Sequence, residues 1–363
     1  MTSLKAEVRI RLDDPSRVLA GICDALAEHE IEIARTADGV RAVLRGTIAT
    51  ARAEPGALVV AAEAADEAAL VAAKMTLASY LVLLAGKAGA EIAWTGDGIV
   101  SRPPNFREMR VVRTATVTPH MRRITLSGPD LGRYATGGLH VKLLLPQPGA
   151  GQPEWPVLGA NGLPVWPDGE ARPAVRTYTI RRIDAAAGEV DIDVVLHDDG
   201  GPGSLWAGRA QPGDRIGMLG PGGGTVGEAD WYLLAGDETA LPAIGRILEQ
   251  LPAAARGHAF VEVADAGEEQ PLVHPPGIQL TWLHRGTRIP GGTTLLADAV
   301  RDVDDWPGAD VPVFAWAGTE FEAFRALRTH WRGDRGLDRT RYLAVAYWRR
   351  GQAEGEFDKR EEG

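Results

Sequence analysis

Arg176-Thr177-Tyr178-Thr179, followed by His197 and then by Gly201-Pro202-Gly203-Ser204-Leu205-Trp206, decides how this chain of 363 residues is read. An Arg-x-Tyr-Thr strand and a glycine-rich turn opening a short helix are what a β-barrel needs to hold a flavin dinucleotide. The Arg176 guanidinium can pair with a pyrophosphate oxygen, and the Tyr178 ring can lie flat against the isoalloxazine. Thr179 offers a hydroxyl near the reactive ring nitrogen. The turn from Gly201 to Ser204 supplies bare backbone N–H groups and a helix N-terminus for the phosphates. The tetrapeptide alone suits an exposed strand with an ordinary tyrosine equally well. The two halves in this order make a flavin the leading reading.

Two neighbours carry alternatives of their own. His197 closes a predicted strand just before the turn, where its ring either bonds local backbone or lines the flavin site. No second His or Cys stands at ligand spacing in that segment, so no metal is expected there. Ser204 falls at or near the N-cap of the short helix, a place serine takes for stability alone, worth about 1 kcal/mol. A bound anion gains roughly 0.3–1 kcal/mol from the helix dipole. The terminus therefore supplements direct hydrogen bonds and does not replace them.

Outward from this stretch, residues 107–228 read as an antiparallel flavin-binding β-barrel. Short alternating strands are expected at 109–117, 121–127, 139–145, 176–183, 189–197 and 214–219. Residues 146–173 are rich in Pro, Gly and Trp and read as a long surface loop inserted near the flavin. Residues 229–351 alternate apolar strands with helices, the pattern of a parallel α/β nucleotide-binding sheet covered on both faces. Residues 1–95 read as a small α+β domain. It has strands at 4–12, 40–48, 57–63 and 91–94, a helix after Asp14-Pro15-Ser16 and another over about 66–87. Residues 96–106 read as a linker, and residues 352–363 as an acidic, disordered tail.

The composition narrows the class. A net charge of −10 speaks against a nucleic-acid partner, which would need a basic face. The single cysteine, Cys23, excludes a disulfide framework or an iron–sulfur cluster within the chain and fits a reducing compartment. The most apolar helix-like run, residues 77–86, is too short to span a bilayer. No membrane insertion and a cytoplasmic location are expected.

The chain resembles the siderophore-interacting proteins, flavin-dependent ferric-siderophore reductases of the ferredoxin–NADP reductase superfamily. The resemblance rests on Val117-Thr118-Pro119-His120-Met121-Arg122-Arg123, His140-Val141-Lys142-Leu143-Leu144-Leu145-Pro146 and Arg176-Thr177-Tyr178-Thr179. It continues through Val195-Leu196-His197, Gly236-Asp237-Glu238-Thr239-Ala240-Leu241-Pro242-Ala243-Ile244 and Ala346-Tyr347-Trp348-Arg349-Arg350-Gly351. It implies FAD as cofactor, held by Arg176, Tyr178, Thr179, His197, Gly203, Ser204, Leu205, Trp206, Asp237 and Thr239. Thr179 and Thr239 are implied closest to the chemistry, with no resident metal. Other members of the superfamily carry a Cys-Gly pair near the flavin where this chain has Ala317-Gly318-Thr319-Glu320.

The expected electron donor is NADH or NADPH. Gly236 to Thr239 follows the first strand of the parallel sheet, where a dinucleotide pyrophosphate docks, without the Gly-x-Gly-x-x-Gly fingerprint. Glu262 and Asp265 at the end of the second strand lean toward NADH, because acidic groups favour a free ribose hydroxyl. The resemblance implies Lys142, Arg349 and Arg350 as a basic mouth for an anionic ferric siderophore. Arg341, Arg349 and Arg350 around Tyr347 and Trp348 equally suit a solvated face, and Trp348 suits either the ligand cleft or the core. Two other readings stay open. One is a flavin reductase with another acceptor, or one linked to ferredoxin. The other makes residues 1–95 the working part, an interaction or ligand-binding module.

Overall fold

The computed structural model describes residues 3–28, 31–36, 38–44, 46–149, 151–197 and 200–352. Residues 353–363 of the expected tail lie outside the described residues, as do Asp198 and Asp199 before the glycine-rich turn. The chain forms two compact units, Met1–Phe106 with Gln147–Pro173, and Arg107–Pro146 with Ala174–Gly363.

The first unit is built on six strands. They are β1 (Leu4–Arg11), β2 (Ile33–Arg35), β3 (Val40–Leu44), β4 (Thr47–Glu54), β5 (Ala57–Ala64) and β6 (Thr95–Gly96). They pair antiparallel in the order β2-β3-β4-β5-β1-β6. Alternate residues Ala6, Val8 and Ile10 of β1 enter a core with helices α1 (Pro15–Glu28) and α2 (Glu67–Ala85). A short α3 (Lys87–Ala90) follows α2. Asp66 starts α2 by accepting a hydrogen bond from the Ala69 N–H at 2.9 Å, and Gly86 at φ 55° ends it.

Three expectations change here. The strand expected at 91–94 is instead the two-residue β6. The run expected at 40–48 breaks at a turn, after which β4 continues to Glu54. Finally, α2 is by length and composition apolar enough to cross a membrane, which the shorter run 77–86 was not. In the fold its residues Leu70, Ala73, Leu77 and Leu81 belong to the core. Residues 96–106 are also more than a linker. Asp97 accepts from the Lys5 N–H, and the buried Lys74 ammonium donates to the Asp97 and Gly98 carbonyls at 3.3 and 2.9 Å.

The second unit opens with β7 (Phe106–Thr118), whose first residue still belongs to the first unit, followed by β8 (Met121–Ser127), α4 (Gly132–Thr136) and β9 (His140–Leu145). The inserted segment then leaves this unit and folds with the first one, so it is not a free loop of the barrel. It forms a hairpin of β10 (Val157–Leu158) and β11 (Pro164–Val165). Trp155 is buried with its ring 5.8 Å from Phe106, and Trp94 Nε1 donates to the Asn161 carbonyl at 3.0 Å.

The chain returns as β12 (Ala174–Asp184), β13 (Glu189–Val195), α5 (Pro202–Arg209) and β14 (Arg215–Gly222). The barrel closes in the order β12-β13-β8-β7-β14-β9 around Ile124, Leu126, Leu143, Ile180, Ile192 and Ile216. Closure leaves no exposed strand edge.

The remaining strands are β15 (Trp231–Asp237), β16 (Arg256–Val263), β17 (Gly277–His284), β18 (Val313–Glu320) and β19 (Tyr342–Trp348). All pair in parallel, in the order β17-β16-β15-β18-β19. Tyr232 and Leu234 face a core with Ile244 and Ile247 of α6 (Leu241–Gln250). Leu233 and Ala235 face the opposite core, with α7 (Leu295–Arg301) and α8 (Phe321–Thr329). Strand order reverses between β15 and β18, so the crevice of this sheet opens beyond Asp237 and Gly318.

Barrel and sheet are pinned together inside this unit. Buried Arg246 of α6 donates to the Ile180 and Ala135 carbonyls at 3.1 and 3.2 Å. Buried Glu268 accepts from Thr118 Oγ1 at 2.5 Å and from the His120 N–H at 3.1 Å.

Candidate active site

The ladder between β12 and β9 sets Thr177 opposite Lys142, Tyr178 opposite Val141 and Thr179 opposite His140. Because side chains alternate along a strand, Arg176 and Tyr178 share one face of the sheet and Thr179 takes the other. The phenol of Tyr178 reaches the first turn of α5. A Cβ built on Gly203 would collide with Tyr178 Oη, so only glycine lets ring and helix terminus meet. The two halves of the sequence pattern are thus brought together.

Gly201 is the N-cap of α5, and among the described residues no side chain caps this helix end. Ser204 therefore sits inside the helix, not at the cap. Its hydroxyl accepts from the His197 N–H at 3.0 Å and lies 3.3 Å from the His197 carbonyl, which fixes the strand end against the helix. Leu205 is exposed, whereas Trp206 is buried in the barrel core. Arg176 donates to the Val175 carbonyl at 2.8 Å and is half-buried.

At the reversal point of the parallel sheet, Asp237 is a hub of hydrogen bonds. One carboxylate oxygen accepts from the Thr239 N–H at 2.9 Å and from its hydroxyl at 2.5 Å. The other accepts from Thr319 Oγ1 at 3.2 Å, the Glu320 N–H at 3.0 Å and Trp348 Nε1 at 2.9 Å. Trp348 is thereby assigned to the scaffold of the crevice. Thr239 is held at its rim. Beside it, Arg285 pairs with Glu238 through both oxygens, at 2.9 and 2.5 Å. Burial and the neighbouring Asp237 nevertheless push the Glu238 carboxyl up.

Of the two acids proposed for the ribose, Glu262 is buried, is raised by that burial and accepts from Thr293 Oγ1 at 2.7 Å. Asp265 is exposed and caps a short turn through the Gly267 N–H.

Sequence reasoning missed one connection. His140 Nδ1 lies 3.3 Å from Thr179 Oγ1, and His140 Nε2 lies 3.0 Å from Tyr347 Oη. The contact joins the barrel to β19 across most of the chain, and no local pattern announces it. Pairing the strands would have found the first half, since His140 stands opposite Thr179 in the ladder.

The basic group is split by the fold. Arg341 lies before β19 and donates to the Val311 carbonyl at 3.3 Å, whereas Arg349 and Arg350 follow the other end of that strand. The Arg349 guanidinium lies over the Phe321 ring at 4.4 Å, and the Arg350 N–H donates to Glu320 Oε1 at 3.2 Å. Arg350 is exposed, as is Lys142 on β9.

A closed barrel with a phenol set against a bare helix terminus, beside a parallel sheet with a braced crevice, defines a flavin reductase of two lobes. Family models match in succession: residues 7–95 an "Uncharacterized protein conserved in bacteria", 110–225 a "Siderophore-interacting FAD-binding domain" and 229–351 a "Siderophore-interacting protein". The chain belongs to the siderophore-interacting protein family.

The ferric vibriobactin reductase ViuB of Vibrio cholerae is 34% identical over 252 residues, covering 68% of this chain and 91% of that protein. The NADPH-dependent ferric-chelate reductase of Escherichia coli is 33% identical over 250 residues, covering 67% and 92%. Among solved structures, a siderophore utilization protein from T. fusca is 41% identical with a TM-score of 0.59, covering 70% of this chain and 95% of its own. SipS from Aeromonas hydrophila is 38% identical with the same TM-score, covering 69% and 94%. The residues fit the FAD that the family implies. A ring platform, a glycine-lined approach and an uncapped helix end converge at Tyr178 and Gly203.

Proposed function

We propose that this protein is an FAD-dependent reductase of ferric siderophores, drawing electrons from NADH or NADPH and releasing ferrous iron. The observation that carries the reading is the cradle of Tyr178 and Gly203. Bound FAD supplies the exchange between a two-electron hydride donor and a one-electron acceptor. The chain binds and orients. Arg176 and the backbone N–H groups of Gly203 and Ser204 meet the phosphates, with Leu205 beside them. Tyr178 covers the ring, Thr179 addresses its reactive edge, and His197 borders the site. Thr239, held by Asp237, shapes the mouth.

Lys142, Arg349 and Arg350 receive the anionic chelate, a local positive field on a chain whose net charge is −10. Ferrous iron binds hard oxygen donors less tightly than ferric iron, so the chelate loosens without any protein ligand to the metal. The relatives named as ferric vibriobactin and ferric-chelate reductases support this substrate class. Glu262 accepts from Thr293 through one oxygen only, so Glu262 and Asp265 both keep the lean toward NADH, with NADPH as the other donor. The reaction belongs in the cytoplasm, where reduced nicotinamides are made.

Anaerobic stopped-flow absorbance tests this directly. NADH or NADPH is expected to bleach the flavin, and a ferric siderophore to restore it. Bleaching without recovery would assign another acceptor. Lys142→Glu is expected to slow the recovery at least several-fold while flavin content stays the same.

A further inference from the structure

We propose that Tyr347 and His140 fix the hydrogen-bond polarity of Thr179, so that its hydroxyl is presented as a donor to an oxidised flavin ring. The inference rests on the reading above that this cleft holds FAD.

The polarity follows from one end of the chain of contacts. Tyr347 Oη has one hydrogen-bond partner among the described residues, His140 Nε2 at 3.0 Å. Burial, with the charge of Asp237 adding to it, pushes the phenol up, so it keeps its proton. The phenol is assigned as the donor because Nε2 is the described acceptor within reach of its O–H, and a buried O–H left unsatisfied is costly, which makes Nε2 the acceptor. An imidazole that accepts at Nε2 carries its proton on Nδ1, 3.3 Å from Thr179 Oγ1. A hydroxyl that accepts there keeps its own hydrogen for a ligand.

The surrounding backbone holds the arrangement. The two rings meet edge to face, with centroids 5.4 Å apart at 88°. A Cβ on Gly318 would stand 2.7 Å from Tyr347 Cζ, and one on Gly223 would collide with His140 Cδ2. Gly223 has φ +86°, which glycine alone adopts without strain. Thr179 is buried and held in register with His140 by the ladder. The packed backbone keeps both rings in this contact, so the order of donors is set by the imidazole tautomer.

The reactive nitrogen of an oxidised isoalloxazine accepts hydrogen bonds, and in the reduced ring the same nitrogen carries hydrogen. A fixed donor therefore favours the oxidised state and lowers the flavin's reduction potential. The reduced flavin becomes the stronger reductant, as iron(III) held by hard oxygen ligands requires. No proton moves in this device. Thr179 touches the cofactor, and His140 and Tyr347 are positioning residues.

Nitrogen-15 NMR of His140 in the FAD-loaded protein tests the proposal, with its signals assigned by their loss in His140→Gln. Protonated Nδ1 with bare Nε2 is expected, and a proton on Nε2 would overturn the inference. In Tyr347→Phe the single tautomer should be lost and the flavin midpoint potential should rise, with FAD affinity held within about threefold. An unchanged tautomer and potential would also overturn it. Should that variant not fold, the wild-type spectrum decides alone. Wild-type protein that bound no FAD would sink the flavin reading itself, whereas FAD bound beside an Nε2–H tautomer would sink only this inference.

Discussion

Gly203 shows most sharply how one residue serves two elements. Inside a helix, alanine is worth about 1 kcal/mol more than glycine, so propensity alone predicts that Gly203→Ala stabilises the protein. The collision with Tyr178 Oη opposes this, because forcing a methyl group into a filled space costs roughly 1–3 kcal/mol. We expect Gly203→Ala to fold and to bind FAD about tenfold more weakly or worse, as read by quenching of flavin fluorescence on titration. Unchanged affinity would show that the phenol and the helix end do not act together. At this scale the sequence pointed to Tyr178 and Gly203, which the fold brings together, because their chemistry is local. It gave no sign that the Trp206 ring is buried or that Asp237 receives a full set of donors, since both are properties of the folded surroundings. His140 and Tyr347 acquire their roles only when distant strands meet.

Among the elements, the barrel strands were legible because one face of each is apolar and the other polar. Thr47–Glu54 was not, since its Ala, Thr and Arg residues give almost no contrast between faces. Helix α2 announced its start through Asp66 but hid its one buried charge. Lys74 is buried with its ammonium on the Asp97 and Gly98 carbonyls, and that burial holds it below the ordinary lysine range. Between its folded value and the ordinary one, the unfolded chain binds a proton that the folded chain has released. Stability of the first unit should therefore rise with pH through that alkaline window. Cys23, raised mainly by burial, works in the opposite direction, but it is common to wild type and variant. The difference in urea stability between wild type and Lys74→Met, followed across that window, isolates the lysine. A pH-independent difference would contradict this account.

For the whole molecule, two compact units predict two thermal transitions. Arg246 and Glu268 bridge barrel and sheet, which should melt together as one of them. Free FAD at a hundred times its dissociation constant adds about 2.7 kcal/mol to the state that binds it. In calorimetry FAD is expected to raise the transition of the second unit and leave the other where it was. A single transition that moves as a whole would refute this division. The sequence placed the barrel and the parallel sheet but gave the inserted segment to the wrong unit, because Trp155 carries no sign of where its partner Phe106 will be. That segment has a genetic consequence. The chain passes between units at Phe106/Arg107, Pro146/Gln147 and Pro173/Ala174, so the first unit is encoded by two separate stretches of gene. A recombination event that deleted only the leading stretch would orphan Trp155 and Asn161. In such a lineage, losing the first unit takes two coordinated edits, and the fusion is correspondingly hard to undo.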